Sequence, residues 1–292
     1  MAKTRALVKR RKAIQNIRKI TRTMELIATS KFQRALKRAQ EAEAFTRKIA
    51  ELAADLSASA TDVTHPLLET HDPVKNSVLL VLSSNRGLCG GYNASIIREA
   101  NAGIRQVQAE GVTLHLEVSG KRAIAYYRYQ RIAAERTYTQ FEDKPTFQQV
   151  EELANRFIKG YTSGAIDRVQ VAYMKFFNAA RQAPALETLL PLSATPAADR
   201  GAAPARPVEY EFLPDAKGIL EELLPVSFKV RLFKCFLDAA VSEQIARRVA
   251  MKAATENAGD LIKEITRLYN RTRQANITRE ISELIAGAEA LK

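Results

Sequence analysis

The sequence predicts an α/β protein in which two long helices, one at each end, bracket a sheet domain. Three observations lead there. From Met1 to His65 there is neither glycine nor proline. From Val226 to Lys292 there is no proline, and only Gly259 and Gly287 interrupt. Between them the hydrophobic period changes, and short apolar runs alternate with helical stretches, which is the pattern of a largely parallel sheet.

The first helix carries a seven-residue repeat. Leu7, Ile14, Thr21, Ala28, Ala35, Ala42, Ile49 and Leu56 form one seam. A second seam is expected three residues on, at Arg10, Ile17, Met24, Lys31, Arg38, Phe45 and Leu52. A heptad repeat held this long predicts a left-handed coiled coil. A helix of ~55 residues is roughly 80 Å long, more than an ordinary domain can cover, so another helix must lie against it.

Pro66 and Pro73 end that helix. Ser77 to Ser83 is a short apolar run and predicts a buried strand. Ser84 to Gly91 reads as a loop and Tyr92 to Ala109 as a helix. Val112 to Val118 alternates as a strand, and Gly120 leads into a helix through Tyr129. Arg131 to Tyr138 suggests a third strand. Thr146 should cap a helix from Phe147 to about Tyr161. Arg168 to Phe177 and Leu186 to Leu192 read as the last two strands. Residues 195–216 hold Pro196, Pro204, Pro207 and Pro214 among alanines and read as a linker. Asp215 is positioned to cap the second long helix, with Pro225 either kinking its first turns or marking its start. That helix is rich in small residues, Ala239 to Ala258, and then in Leu261, Ile265, Leu268, Ile277, Ile281, Leu284 and Ile285. Antiparallel pairing of the two helices buries both stripes, and the alanines permit close approach. The expected product is a thin, stiff rod carrying a globule. The domain boundaries read from this are 1–65, 75–195, 195–216 and 217–292.

Charge is uneven. The chain carries +13 overall, of which residues 1–50 supply +12 from fifteen Lys and Arg against three Glu. A partner for this end should be acidic: nucleic acid, an anionic membrane or an acidic protein surface. Nucleic-acid binding of a basic coiled coil is one reading, but only Phe32 and Phe45 interleave with the basic residues as stacking platforms. Residues 1–24 share the arginine richness of a mitochondrial presequence, yet the heptads run straight through them. Cys89 and Cys235 are the only cysteines and form no CxxC, which fits a reducing compartment. His65, His71 and His115 are scattered, so no metal set is expected.

For chemistry, the loop Ser84-Asn85-Arg86-Gly87-Leu88-Cys89-Gly90-Gly91 stands between a strand and a helix, where α/β folds hold phosphate. It lacks GxGxxG, and Gly120-Lys121 is followed by Arg122, so it is not a P-loop. No GxSxG, HExxH or Ser/His/Asp set is present. An enzyme using the α/β domain is therefore the weaker reading, and no cofactor is expected.

Three segments resemble one family. They are Lys12 to Ala35 (KAIQNIRKITRTMELIATSKFQRA), Ser83 to Asn93 (SSNRGLCGGYN) and Ser242 to Leu291. In order and along the whole chain, they resemble the gamma subunit of F-type ATP synthase. The resemblance implies an antiparallel coiled coil inside a ring of three alpha and three beta subunits, and a Rossmann-like α/β domain beside the epsilon subunit on the membrane c-ring. One copy is implied per complex, peripheral on the cytoplasmic face of a bacterial plasma membrane. The implied function is a rotor that couples proton flow to ATP synthesis without doing chemistry itself. It also implies subunit-interface roles. Met24 would face an acidic loop of the catalytic subunit. Cys89 would be a thiol of the neck loop. Arg247, Gln274, Thr278 and Glu280 would couple the C-terminal helix to the ring or to the N-terminal helix. Bare packing of Met24 in its seam, and bare solvation of Gln274 and Thr278, are the alternatives for those residues. The dithiol insertion of the chloroplast form has no counterpart among two cysteines.

Overall fold

The computed structural model describes residues 2–59, 65–141, 144–192 and 216–290. Asp215, the 195–215 part of the proline-rich stretch and Leu291 lie outside the described residues. So do the side chains of Phe45 and Leu52 in the expected second seam. The elements run in the order α1 (Ala2–Ser59), β1 (Asn76–Leu82), α2 (Tyr92–Ala109), β2 (Thr113–Ser119), α3 (Lys121–Tyr129), β3 (Arg136–Tyr138), α4 (Phe147–Thr162), β4 (Arg168–Phe176), β5 (Gln182–Leu190) and α5 (Ala216–Glu289). The fold is mixed α/β with long terminal helices. The chain divides into two compact units, Met1–Ser30 with Arg247–Lys292, and Lys31–Ala246.

The second unit holds the sheet, in the order β3-β2-β1-β4-β5. β1 pairs in parallel with β2 and β4, and β2 with β3. β5 runs antiparallel to β4. Side chains on β1 alternate between two cores. Val78, Leu80 and Leu82 join α4 residues Val150, Leu153 and Phe157 on one face, and α5 covers the same face through Phe228, Leu232 and Phe236. Leu79 and Val81 join Ile96, Ala100 and Ile104 of α2 and Tyr127 of α3 on the other. Burial on both faces is why β1 reads as a continuous apolar run.

Helices α2 and α3 begin and end where the sequence puts them. Thr146 caps α4 as expected, with Gln149 closing a capping box. The strands differ more. β3 is three residues long, not eight, because Arg131 turns at φ 58 after α3 and only Glu117–Ser119 offers a partner edge. β5 starts four residues early, at Gln182. Asn178 Oδ1 accepts the amides of Ala180 and Arg181, and this turn folds the chain back at once. Pro184 is tolerated because β5 is an edge strand. Pro225 lies inside α5 and does not start it. Burial of Leu224 and Phe228, one turn apart, offsets the missing backbone bond.

Within this unit α1 meets α5 through Phe32, Ala35, Val241 and Ile245. Ala35 is 2% exposed. Ala35→Leu should therefore overpack this crossing and cost about 1–3 kcal/mol. A chemical denaturation midpoint equal to that of the unaltered chain would count against this packing.

Candidate subunit interface

The first unit is a helix pair. Thr255 Oγ1 lies 2.8 Å from Thr21 Oγ1, and the Arg11 guanidinium sits 5.7 Å from the Tyr269 ring centre. Moving back along α1 moves forward along α5, so the pairing is antiparallel. On α5 the contact seam is Met251, Ala258 and Ile265, seven apart and each about 5% exposed, with Thr255, Ile262 and Tyr269 half-buried beside it. On α1 the first expected seam is the one that packs: Thr21 and Ala28 are buried, and Leu7 and Ile14 half-buried. The second is covered only in part: Arg10 and Ile17 are exposed, Ile17 at 52%, whereas Met24 is half-buried, as are Arg11 and Glu25 beside the same seam.

The register has a consequence at the far end. Counting back from Arg11 to the start of α1 at Ala2, and the same distance on from Tyr269, reaches Thr278. α5 continues to Glu289, and among the described residues none of α1 lies opposite these last turns. They carry Ile281, Leu284 and Ile285 at 51%, 74% and 57% exposure, and Ile277 just before them at 47%. Spacings of four, seven and eight place these on one face. Ile17, Ile20 and Ile27 on α1, and Leu261 and Leu268 on α5, also face outward. So much exposed apolar surface on a helix pair marks an interaction site.

The sequence-read candidates fall into this frame unevenly. Gln274 and Thr278 are exposed one turn apart beside Ile277, and the Thr278 carbonyl accepts Ser282 Oγ at 2.9 Å. Glu280 is exposed on the opposite flank of the same apolar face, one turn from Ile277 and from Leu284. Arg247 is 8% exposed and so offers little surface to a partner. The exposed apolar turn after Thr278 escaped the sequence reading, which placed it in the paired stripe.

Cys89 belongs to the second unit. It is 2% exposed, with its thiol held inside the 84–93 loop. Asn93 Nδ2 donates to Sγ at 3.1 Å and Ser84 Oγ lies 3.8 Å away. The same asparagine receives the Ser84 amide on Oδ1 at 3.0 Å. A thiol tied into this network faces the domain core in the chain by itself. The residue that the loop presents is Leu88, 61% exposed at φ 64.

The place where an α/β sheet takes its ligand is also occupied. Strand order reverses between β1 and β4, and ligands of open sheets bind outside the carboxyl ends there. Here Tyr92, the first residue of α2, sends its hydroxyl to the Ala239 carbonyl at 3.0 Å, and Ser242 Oγ reaches the Met174 carbonyl at 3.3 Å. α5 therefore fills the crevice. The first amides of α3, the other anion-binding candidate, are spent on protein. Lys121 N–H goes to Asn85 Oδ1, Arg122 N–H to the Ser84 carbonyl and Ala123 N–H to Ser83 Oγ.

Outward apolar helix faces, and a sheet whose ligand crevice is met by the chain's own helix, define a chain that offers surfaces for assembly in place of a small-molecule site. A family model described as ATP synthase matches residues 3–291. An ATP synthase gamma chain of Rhodopirellula baltica is 50% identical over 296 residues, covering 100% of both chains. One from Leptospira biflexa is 38% identical over 291 residues, again covering 100% of both. Among solved structures, a chain of the Euglena gracilis mitochondrial ATP synthase OSCP/F1/c-ring structure superposes with a TM-score of 0.62 at 18% identity, covering 99% of this chain and 95% of its own. A chain of the Tetrahymena thermophila mitochondrial central stalk and c-ring gives 0.55 at 18%, covering 80% and 99%. The chain belongs to the ATP synthase gamma chains.

Proposed function

We propose that this gamma chain works as the central-stalk rotor of a proton-driven ATP synthase. The helix pair stands inside a ring of three alpha and three beta subunits, and the α/β domain rests on the membrane c-ring beside the epsilon subunit. One copy serves each complex, on the cytoplasmic face of a bacterial plasma membrane; among the described residues no helix is long and apolar enough to cross a membrane. Rotation of the asymmetric helix pair changes the three catalytic sites in turn. The chain itself performs no chemistry and holds no cofactor. The working parts are residues 1–65 and 217–292 as the shaft, 75–195 as the foot and 195–216 as a linker.

The observation that carries this reading is the exposed apolar face of Ile277, Ile281, Leu284 and Ile285 near the end of α5. A solvated helix end gains nothing from four large aliphatic residues; a collar of partner subunits buries them. Gln274 and Thr278 then give polar contacts at the collar's edge, and Met24 lies where an acidic loop of a catalytic subunit meets the basic α1. The nucleic-acid reading of the basic end finds no support, because acidic loops of the ring account for the same charge.

Purification at native salt tests the reading: a six-membered nucleotide-binding ring should come with the chain, and replacing Ile281 and Leu284 with aspartate should lose it. A solitary chain would overturn the assignment. For the neck loop, a cysteine on the catalytic subunit's acidic loop should form a disulfide with Leu88→Cys in at most one of three ring subunits. That bond should stop ATP hydrolysis, and a reductant should restore it. Cys89 of the unaltered chain should cross-link far more slowly. Equal rates would show that the loop opens in the complex.

A further inference from the structure

A shaft needs a joint. An α-helix packed by apolar side chains on a domain resists being pulled away, but apolar contact has no direction and does little to stop the helix from rolling about its own axis. Directional contacts on both flanks of the packed face do stop it.

α5 has such contacts over a short stretch, all inside the second unit. In the middle of its buried face, the Tyr92 hydroxyl donates to the Ala239 carbonyl at 3.0 Å. On one flank Lys229 Nζ donates to Glu151 Oε1 of α4 at 2.9 Å. On the other, Arg231 Nη2 lies 3.5 Å from Glu187 Oε1 of β5, and Ser242 Oγ donates to the Met174 carbonyl of β4 at 3.3 Å. A helix turns roughly 100° per residue, which puts Lys229 about 80° to one side of Ala239, and Arg231 and Ser242 about 80° and 60° to the other. Each tie ends on a different element of the domain: α2, α4, β5 and β4. Tyr92 and Ser242 are 4% and 1% exposed, so their bonds do not compete with water. Rolling α5 either way would stretch the tie on one flank and tear the central one.

We propose that Lys229, Arg231 and Ser242 of α5, with Tyr92 of α2, form an anti-roll joint that carries twist between α5 and the α/β domain. These residues position the shaft and touch no substrate. The inference rests on the rotor reading and adds where in the chain torque is borne.

The test uses the assembled ATP synthase with the ring fixed to a surface and a probe on the α/β domain. The Tyr92→Phe, Ser242→Ala, Lys229→Met and Arg231→Met changes are combined. During catalytic dwells the angular variance of the probe should at least double. In membrane vesicles, protons pumped per ATP hydrolysed should fall, while unloaded hydrolysis stays within about twofold of the unaltered complex. Variance and pumping ratio both unchanged would overturn the proposal. A charge exchange guards against simple loss of fold. Lys229→Glu alone should raise the variance, and Lys229→Glu with Glu151→Lys should bring it back; failure of the exchange to restore it overturns the role of Lys229. Absence of rotation in the unaltered complex would sink the rotor reading first, an outcome separate from a rotating complex whose variance ignores these residues.

Discussion

Gly120→Ala should cost more than about 3 kcal/mol and leave the α/β domain largely unfolded in moderate urea. Gly120 joins β2 to α3 at φ 97, on the positive side that residues with a Cβ rarely adopt. Space forbids the substitution as well. A Cβ there would lie 2.1 Å from the Ser83 carbonyl oxygen and 2.5 Å from Ser83 Oγ. Neither side can give way. The Gly120 amide is bonded to the Tyr138 carbonyl, and the Ser83 amide to the Ser119 carbonyl. Ser83 Oγ is also tied to Ser119 and Gly120 and receives the Ala123 amide. The clash thus falls on the junction of β1, β2, β3 and α3. Gly164 is the control: its φ is 71, but nothing lies within 4 Å of its added Cβ. Gly164→Ala should cost about 1–2 kcal/mol, from backbone conformation alone. Similar urea midpoints for the two variants would show that the 83–120 contact is looser than described.

What the sequence disclosed depended on whether the information was local. α2, α3 and the Thr146 cap were legible because glycine, a capping box and a 3.6 period act within a few residues. β3 was overestimated because Arg131 to Ala134 are still turning out of α3, with the Ile132 amide on the Tyr127 carbonyl, and the chain first meets β2 at Glu135, whose amide bonds the Leu116 carbonyl. The first heptad seam was legible from alanines and leucines. The second was legible only in part, with Met24 half-buried but Arg10 and Ile17 exposed, because a single helix does not say on which side its partner lies. The neck-loop thiol illustrates the same limit. Cys89 sits in a glycine-rich loop that looks open, and only contact with Asn93 and Ser84 shows that the thiol turns inward. The apolar end of α5 is composition the sequence displays plainly. That it is left exposed is seen only in the folded chain. The ties of Tyr92 and Ser242 to α5 and β4 carried no sequence signal, since their partners lie more than sixty positions away.

Asp238→Asn should stabilise the protein at pH 8 by about 2–4 kcal/mol, roughly the worth of its raised pKa at 1.36 kcal/mol per unit. Asp238 lies on α5 at 4% exposure, where that helix meets α1 and β4. Burial is the main cause that pushes its pKa up to about 7, and the Glu43 carboxylate of α1 adds to it. Lys234 on the same helix, Lys175 on β4 and the Phe176 amide pull the other way without prevailing. Glu187 of β5 and the Cys235 and Tyr173 side chains border the same pocket. Oδ2 makes no hydrogen bond, so the charged form is held with one oxygen unsatisfied. A carboxyl whose folded pKa lies above its unfolded value binds a proton more tightly when folded. Its favourable contribution is complete below the unfolded value, is lost as pH rises toward 7, and is absent above. The unaltered chain should therefore lose stability between about pH 4 and pH 7 from this group. Asparagine keeps the shape, never ionises, and should flatten that part of the profile. The gain should consequently be large at pH 8 and vanish near pH 4, where the aspartate is already neutral. Denaturation midpoints across this range, for both chains, measure it. A stabilisation equal at pH 4 and pH 8 would mean that the amide acts through a new hydrogen bond and not through the removed charge. A destabilisation at pH 8 would show that the ionised carboxylate, tied to Lys234 and Lys175, is the form the α1–α5 crossing prefers.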